Sequence, residues 1–458
     1  MATEKTVNMF KELESSQASP KVVSHLRRLV TEGHEFDCYK INAFRIGKEL
    51  EVGRSEALRA LLYATRIGIF DLNFDVHCPS CYGVPAYHKH LMGLQNNAHC
   101  PLCELDWALD FEEQVEVTFT VNPEIRSLEY KDWGERDFNG MMEWLDDMLV
   151  REQRELAVGI CVEPGETKVV ETTLTDGEYC FYMPSHREVG GLLIVEGEEC
   201  AETQQVKLSA GSDGTFDIRE LTLKPGPIEF TVTYDYPTFN GFLVVSTAPR
   251  HNWVSAAYLM AQQDFRDLFH SEYLAPDTSF AIRSVTLVFT DITGSTEMYE
   301  RLGDGKAYNL VQEHFKVMTE IITKHEGGIV KTIGDAVMAA FPNNQQGLRA
   351  ACLIQEAFSK REDILADVTV KIGLHRGPSI AVTSNKATDY FGRTVNIAAR
   401  VQGESGPGEV VVSQSVLDDP DVSAFLKKRQ YPCIEKTVNL KGIAGDVKVT
   451  VLTPKPTK

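Results

Sequence analysis

Positive charge is scarce in this sequence: 46 Lys and Arg stand against 66 Asp and Glu, leaving a formal net charge of −20. Sequence-independent nucleic-acid binding needs a broad basic surface, so this balance argues against it while leaving a local basic face open. Long apolar runs are missing too. No stretch approaches the roughly 18 apolar residues of a membrane span, and the start M-A-T-E-K-T-V-N-M-F-K has no basic segment followed by an apolar one. The expectation is a soluble, cytoplasmic protein without a membrane partner. Ten cysteines fit a reducing compartment, because four fall in C-x-x-C pairs and others, such as Cys38, Cys161 and Cys352, are scattered through apolar patterns as buried thiols are. A chain of 458 residues, 43% hydrophobic and 24% charged, is ordinary globular material. It is too long for one core, so roughly two to four domains are expected.

Residues 1–76 read as helical. Val22, Val23, Leu26, Leu29 and Val30 recur at helical spacing, as do Ile41, Phe44, Ile46 and Leu50, then Ala57, Leu58, Leu61, Leu62 and Ile67. Glu51 to Ser55 separates the last two helices, with Ser55 a candidate cap, and Ile69 to Val76 alternates as a strand does. Helix, turn, helix and strand resemble a winged-helix module. Either the helix Ser55 to Ile67, with Arg59 and Arg66, reads DNA, or the module docks a protein or dimerises.

Residues 77–108 carry C-P-S-C and C-P-L-C, with eighteen residues between the knuckles. Each knuckle presents two thiolates from a tight turn, so Cys78, Cys81, Cys100 and Cys103 are expected to bind one structural Zn²⁺ as a Cys₄ zinc ribbon. Four thiolates leave no open coordination position, and no catalysis is assigned there. His77 and His99 flank the knuckles as exposed or supporting groups.

Residues 109–251 hold short apolar runs divided by E-P-G-E, T-D-G-E, G-S-D-G and K-P-G-P turns, the pattern of an antiparallel β-sandwich. Asp137 to Leu156 interrupts it with helical spacing, and no ligand signature stands out. A regulatory role, with a protein or small molecule bound at the N-terminal domains, is assigned by position alone. Residues 252–276 read as a connecting helix from Trp253 to Tyr273, stopped before Pro276. Such a helix either pairs in a dimer and transmits N-terminal state or packs on its own sandwich.

Residues 277–458 carry the chemistry. Val285 to Thr290 is a β-branched apolar run ending at Asp291 and a Gly/Ser/Thr turn that opens a helix, an anion-friendly N-terminus. Ile329 to Thr332 and Ala336 to Phe341, joined by Gly334-Asp335, read as a hairpin with a carboxylate at its tip. Asp291 and Asp335 then end neighbouring strands. Paired acids so placed suit two divalent metals about 3.5–4 Å apart, as used for in-line displacement at phosphorus. Asn396 and Arg400, four residues apart on a helix, emerge on one face.

F-T-D-I-T-G-S-T, K-T-I-G-D and D-Y-F-G-R-T-V-N-I-A-A-R, in this order, resemble the class III nucleotidyl cyclases over about Phe280 to Pro454. The resemblance implies that Asp291, Asp335 and the Ile292 backbone hold two Mg²⁺ or Mn²⁺. It implies that Lys331 and Asp389 read adenine, that Asn396 orients the ribose, and that Arg400 stabilises the pentavalent phosphate. Gly294 and Ser295 would hold the terminal phosphates, and Lys441 matches loosely a phosphate-binding lysine. His375 near a strand end is expected to be structural rather than a base. The order strand, long helix 295–325, hairpin, helix 346–359, strands 368–374 and 379–383, helix 394–402 and strand 409–413 gives a ferredoxin-like βαββαβ domain within a multidomain α+β chain. The implied reaction turns ATP into cyclic AMP and pyrophosphate at two shared sites of a homodimer. A guanylate or mixed cyclase, and a catalytically silent nucleotide- or DNA-binding regulator, are the alternatives.

Overall fold

The computed structural model describes residues 4–33, 35–79, 84–100, 105–128, 156–183, 188–211, 216–235, 240–247, 253–275, 278–366, 368–384, 387–443 and 445–454. Four helices come first: α1 (Glu4–Glu14), α2 (Pro20–Glu32), α3 (Ala43–Glu49) and α4 (Arg54–Ile67). Val22, Val23, Leu26 and Val30 of α2 form one buried stripe, as their spacing predicts. Asn42 caps α3 by accepting from the Phe44 and Arg45 amides, whereas α4 starts one residue before Ser55, with Gly53 at its N-cap. Strands β1 (Phe70–Val76), β2 (Ala86–His88), β3 (Asn97–Cys100), β4 (Leu105–Ala108) and β5 (Val115–Val121) follow. β1 lies between β2 and β5 in an antiparallel sheet, and β3 pairs β4.

One expectation changes here. β5 was expected among the sandwich strands, but it pairs along its whole length with β1, Phe70 opposite Val121 through Val76 opposite Val115. Its alternate Val115, Val117, Phe119 and Val121 share a core with the helices. α4 packs among the other helices on one face, with Ala57, Leu58, Ala60, Leu61, Leu62 and Ala64 buried. Arg59 on it is engaged by Asp264 at 2.9 Å.

The middle of the chain forms two facing sheets from β6 (Leu156–Val162), β7 (Thr167–Leu174), β8 (Gly177–Met183), β9 (Glu188–Val195), β10 (Gln204–Ala210), β11 (Glu220–Leu223), β12 (Gly226–Tyr234) and β13 (Asn240–Ser246). Their orders are β10-β12-β7 and β11-β9-β8-β13-β6. The sandwich is mixed rather than purely antiparallel, since β10 runs parallel to β12 and β11 to β9. Val206, Phe230, Val232, Phe181 and Phe242 fill the space between the sheets. The helical spacing read over 137–156 lies, apart from Leu156, outside the described residues.

The expected single helix from Trp253 to Tyr273 is two short ones, α5 (Ala256–Met260) and α6 (Gln263–Leu268). Gln262 takes an extended conformation between them, and the Met260 carbonyl accepts from Arg266 Nε at 2.9 Å instead of continuing a helical ladder. This strap lies between the N-terminal module and the last domain.

That domain comprises β14 (Phe280–Ile292), α7 (Ser295–Leu302), α8 (Asp304–Lys324), β15 (Gly328–Ile333), β16 (Ala336–Phe341), α9 (Asn344–Ser359), β17 (Val370–Ser384), β18 (Ala387–Phe391), α10 (Arg393–Gly403), β19 (Val410–Ser413), α11 (Gln414–Leu417), α12 (Pro420–Arg429), β20 (Cys433–Asn439) and β21 (Asp446–Leu452). One sheet runs β15-β16-β14-β17-β19-β21-β20, with β18 paired to β17. The long helix expected over 295–325 is broken at Gly303, whose φ of 78° is open to glycine. The two strands expected over 368–383 are one continuous β17.

Alternation along β14 explains how the sheet is covered on both faces. Val288 and Ile292 face a core with α8 and α9. Val285, Leu287 and Phe289 face the other way, into a core shared with α10, the strap and the N-terminal helices. Phe111 stacks on Phe280 at 3.9 Å within that shared core. Truncating either ring would cost about 3–5 kcal/mol.

Candidate active site

β14 and the β15–β16 hairpin bring the two acids together. Thr290 pairs with Val337 and Ile333 with Ala336, so Asp291 and Asp335 continue at the same end of adjoining strands. Gly334, at φ 65°, supplies the left-handed residue of the two-residue turn that carries Asp335. Burial, then the neighbouring Asp335 charge, pushes the Asp291 carboxyl above the usual carboxylate range, and Lys371 opposite it pulls the other way. Asp335 Oδ2 is buried without a hydrogen-bond partner. A buried lone acceptor beside a second crowded carboxylate is a donor set short of positive charge, which suits a divalent cation. Among the described residues no three His, Cys, Asp or Glu side chains gather at one point, so the two acids would need backbone and ligand oxygens to complete a coordination shell.

Beyond Asp291 the chain turns through Gly294, at φ 67°, into the N-terminus of α7, where the Gly294 carbonyl accepts the Met298 amide. Ile292 is buried and Ser295 half-buried. Backbone amides at this helix start are available to an anion.

Lys331 stands on β15 and Asp389 on β18, strands not paired to each other. Their side chains meet, Lys331 Nζ donating to Asp389 Oδ2 at 2.6 Å, while Asp389 Oδ1 accepts the Tyr390 amide at 2.8 Å. Asp389 is 9% exposed, so its remaining hydrogen-bonding capacity is directed rather than solvated. Asn396 and Arg400 on α10 are both exposed, while Thr394, Ile397, Ala398 and Val401 are buried beneath them. The polar pair therefore stands off the sheet on one helix face, as its spacing predicts. Gly373 of β17 allows this, because a Cβ there would lie 2.2 Å from the Gln402 amide nitrogen of α10.

Other sequence candidates fall elsewhere. Lys441 is exposed in the β20–β21 turn. His375 Nδ1 lies 2.8 Å from Ser413 Oγ, and burial pushes its imidazole down to about 4, which fits a structural hydrogen-bonding role. Cys78 and Cys100 are buried and packed with Leu105 and Trp107; Cys81 and Cys103 lie outside the described residues. His77 joins Glu116 at 2.9 Å and stacks near Trp253, and His99 joins Asp106 at 3.0 Å. Sequence reading missed His314, fully buried on α8, whose imidazole is pushed down to about 4 by burial against an opposing pull from Asp335. It occupies an i+4 partner position of Leu310 in an apolar stripe, the only signal that could have placed it inside.

Comparison with known proteins separates the two halves of the chain. Residues 279–453 match the adenylate and guanylate cyclase catalytic domain. An adenylate cyclase of Anabaena cylindrica is 30% identical over 177 residues, 35% of this chain and 35% of that protein. Adenylate cyclase 2 of Rhizobium meliloti is 29% identical over 160 residues, 32% of this chain and 42% of that protein. This chain thus spans less than half the length of these curated relatives. Among solved structures, the adenylyl cyclase CyaB from P. aeruginosa is 23% identical, covering 38% of this chain and 95% of that one with a TM-score of 0.32. The C-terminal residues 279–453 are therefore a class III adenylate/guanylate cyclase catalytic domain. Residues 3–267, more than half of the chain, match a family of unknown function, DUF5939, and the chain belongs to that family.

Proposed function

We propose that the protein is an adenylate cyclase that converts ATP to 3′,5′-cyclic AMP and pyrophosphate at the interface of a homodimer. The observation that carries this reading is the meeting of Lys331 and Asp389, a donor and an acceptor at 2.6 Å on two strand edges. Parted by a base, they offer a donor to adenine N1 and an acceptor to the N6 amino group, a pattern guanine leaves unpaired. Unpaired buried polar groups discriminate strongly. With no base bound, the pair satisfies itself.

Asp291, Asp335 and the Ile292 carbonyl would hold Mg²⁺ or Mn²⁺. Two such ions supply charge neutralisation at the triphosphate and a lowered pKa at the ribose 3′-hydroxyl. The protein's part is positioning. The 3′-oxygen attacks the α-phosphorus in line as pyrophosphate leaves. Asn396 orients the ribose, Arg400 donates to the non-bridging oxygens of the pentavalent phosphorus, and the Gly294–Ser295 helix start holds the terminal phosphates. Lys441, exposed in the β20–β21 turn, is assigned to the same phosphates. Asp291 and Asp335 of one chain would serve the nucleotide bound by Lys331, Asp389, Asn396 and Arg400 of a second copy, giving two equivalent sites.

The remaining assignments belong to the same proposal. The segments 1–76, 77–108, 109–251, 252–276 and 277–458 act as helical, zinc-ribbon, sandwich, connecting and catalytic units in a cytoplasmic enzyme, with β5 of the third joined to the sheet of the first, and the first four regulate the fifth. Cys78, Cys81, Cys100 and Cys103 hold one structural zinc; the packing of Cys78 with Cys100 supports this. The test is turnover of ATP and GTP, separately, by the purified full chain with Mg²⁺ and then Mn²⁺, with Asp291→Ala as control. Cyclic AMP from the wild type alone is expected. Cyclic GTP as the main product would replace adenylate by guanylate specificity, and no product with either metal would overturn the enzyme reading.

A further inference from the structure

Lys331 and Asp389 stand on two strands that are each paired on one side only. β15 is an end strand hydrogen-bonded to β16, and β18 is attached to β17. No backbone ladder joins β15 to β18, so nothing in the sheet itself fixes the gap the two side chains span. The strap does bridge it. Gln263 Oε1 accepts the Ile329 amide at 2.7 Å, two residues before Lys331. Arg266 Nη1 donates to the Thr388 carbonyl at 3.1 Å, one residue before Asp389. Arg266 is itself fixed, by Nε to the Met260 carbonyl at 2.9 Å and by its guanidinium lying 5.9 Å from the centre of the buried Tyr390 ring. Gly328 at the start of β15 is seated so tightly that a Cβ would fall 2.6 Å from the Ala261 carbonyl oxygen.

The strap's other side is held by the N-terminal module. Asp264, beside Gln263, receives Arg59 of α4 at 2.9 Å. Tyr258 meets Phe44 of α3 edge to face at 5.1 Å, and the Val254 carbonyl accepts the Val117 amide of β5 at 2.7 Å. One short segment thus touches both base-reading strands and the domain that precedes them.

We propose that Gln263 and Arg266 are positioning residues for the base-reading pair, and that the strap converts the placement of the N-terminal module into affinity and selectivity for the nucleobase. The proposal rests on the adenine-reading roles given above to Lys331 and Asp389. Moving α4 displaces Asp264, the strap follows, and the Ile329 and Thr388 anchors shift relative to each other. Asp291 is paired to Lys371 on β17, and Asp335 sits in the turn from β15 into β16, which β14 holds along its other edge, so the two acids are displaced less than the base-reading pair. Control of this kind changes how well the base is bound before it changes how well metal is held.

The experiment uses the full chain carrying Arg266→Ala, Arg266→Lys, Gln263→Ala and Gln263→Glu. Two readouts are taken: kcat and KM for ATP and GTP, and calorimetric binding of 3′-deoxy-ATP and 3′-deoxy-GTP, which does not depend on turnover. The alanine variants should weaken adenine-nucleotide binding and raise KM for ATP about tenfold, the loss of one hydrogen bond that orients a charged group. They should also shrink the ATP-to-GTP ratio of kcat/KM, while the metal concentration for half-maximal rate stays within about twofold. Arg266→Lys and Gln263→Glu, which keep a donor and an acceptor, should recover part of the loss and cover the case in which an alanine variant fails to fold. An unaltered ATP-to-GTP ratio, with any loss shared equally by both nucleotides, would make the strap mere packing and overturn the proposal. Lys331→Glu with Asp389→Cys separates the two levels of inference. If that swap shifts base preference and the strap variants do not, only the strap proposal falls; if the swap changes nothing, the base-reading assignment falls first.

Discussion

Gly373→Ala tests how the helix bearing Asn396 and Arg400 is held. Gly373 lies within β17, and a Cβ there would sit 2.2 Å from the nitrogen and 2.3 Å from the Cα of Gln402. These are backbone atoms of α10, so no side-chain rotation relieves the clash. Ordinary contact begins near 3.4 Å, and strand or helix must give by about 1.2 Å to reach it. Asn396 and Arg400 ride on the same helix and move with it. A displacement of about 1 Å in groups that position a reacting centre costs roughly a hundredfold in rate, so kcat for ATP should fall about a hundredfold. Overpacking should also cost about 1–3 kcal/mol of stability, read as a lower urea midpoint. Gly403→Ala is the control, because on the same helix its Cβ meets nothing within 4 Å. It should leave kcat unchanged. A Gly373→Ala enzyme with wild-type kcat would refute the close seating of α10 and the argument that this contact places the two polar residues.

Asp291→Asn should abolish turnover yet raise the melting temperature of the metal-free protein at neutral pH. The folded-state pKa of Asp291 is raised by burial and by Asp335, so the native state binds its proton more tightly than the unfolded chain. Its contribution to stability is present at low pH and lost as pH rises through the raised value; scanning fluorimetry in EDTA should show this slope for wild type and a weaker one for the variant. Asp335→Ala and Arg400→Ala chains, each inactive alone, should regain activity on mixing through one intact hybrid site, and no recovery despite demonstrated subunit exchange would count against shared sites. Metal analysis of the purified chain should return about one zinc, reduced by Cys78→Ser; much less than one in the wild type would remove the zinc ribbon.

The catalytic half was legible because its determinants are local. A β-branched run stopping at Asp291, a two-residue turn at Gly334-Asp335 and an i, i+4 pair at Asn396 and Arg400 each specify geometry within about a dozen residues. What failed to show was long-range. β5 has the alternation of a sandwich strand, and only its partner across some forty residues decides which sheet it joins. α4 has two arginines on a helix after a turn, and its sequence does not show that one of them, Arg59, pairs with Asp264 some two hundred residues on. Periodicity over 253–273 is helical overall, yet it cannot reveal that the Arg266 side chain takes the Met260 carbonyl and lets the chain turn. Gln263 and Arg266 carry no motif, so their reach to Ile329 and Thr388 could be found only in three dimensions.

Two physical routes lead from the N-terminal module into the catalytic sheet, and they differ in what they can transmit. One enters at the start of β14, where Asp110 pairs with Ala281 and Arg283 joins Asp110 at 2.7 Å and also Glu113. The register of β14 against β17 slips there, between Ile282 and Val285. The ladder is interrupted locally at that slip, and over Thr286–Thr290 β14 is paired along both edges, by β16 and by β17. Movement introduced at Arg283 is therefore damped before it reaches Asp291. The other route is the strap, which grips β15 and β18 where each lacks a second neighbour. Strands free on one edge yield to a lateral pull that a doubly paired strand resists. Lys331 and Asp389 thus stand on the compliant strands and Asp291 ends a more rigid one, and the N-terminal module reaches the compliant strands through the strap.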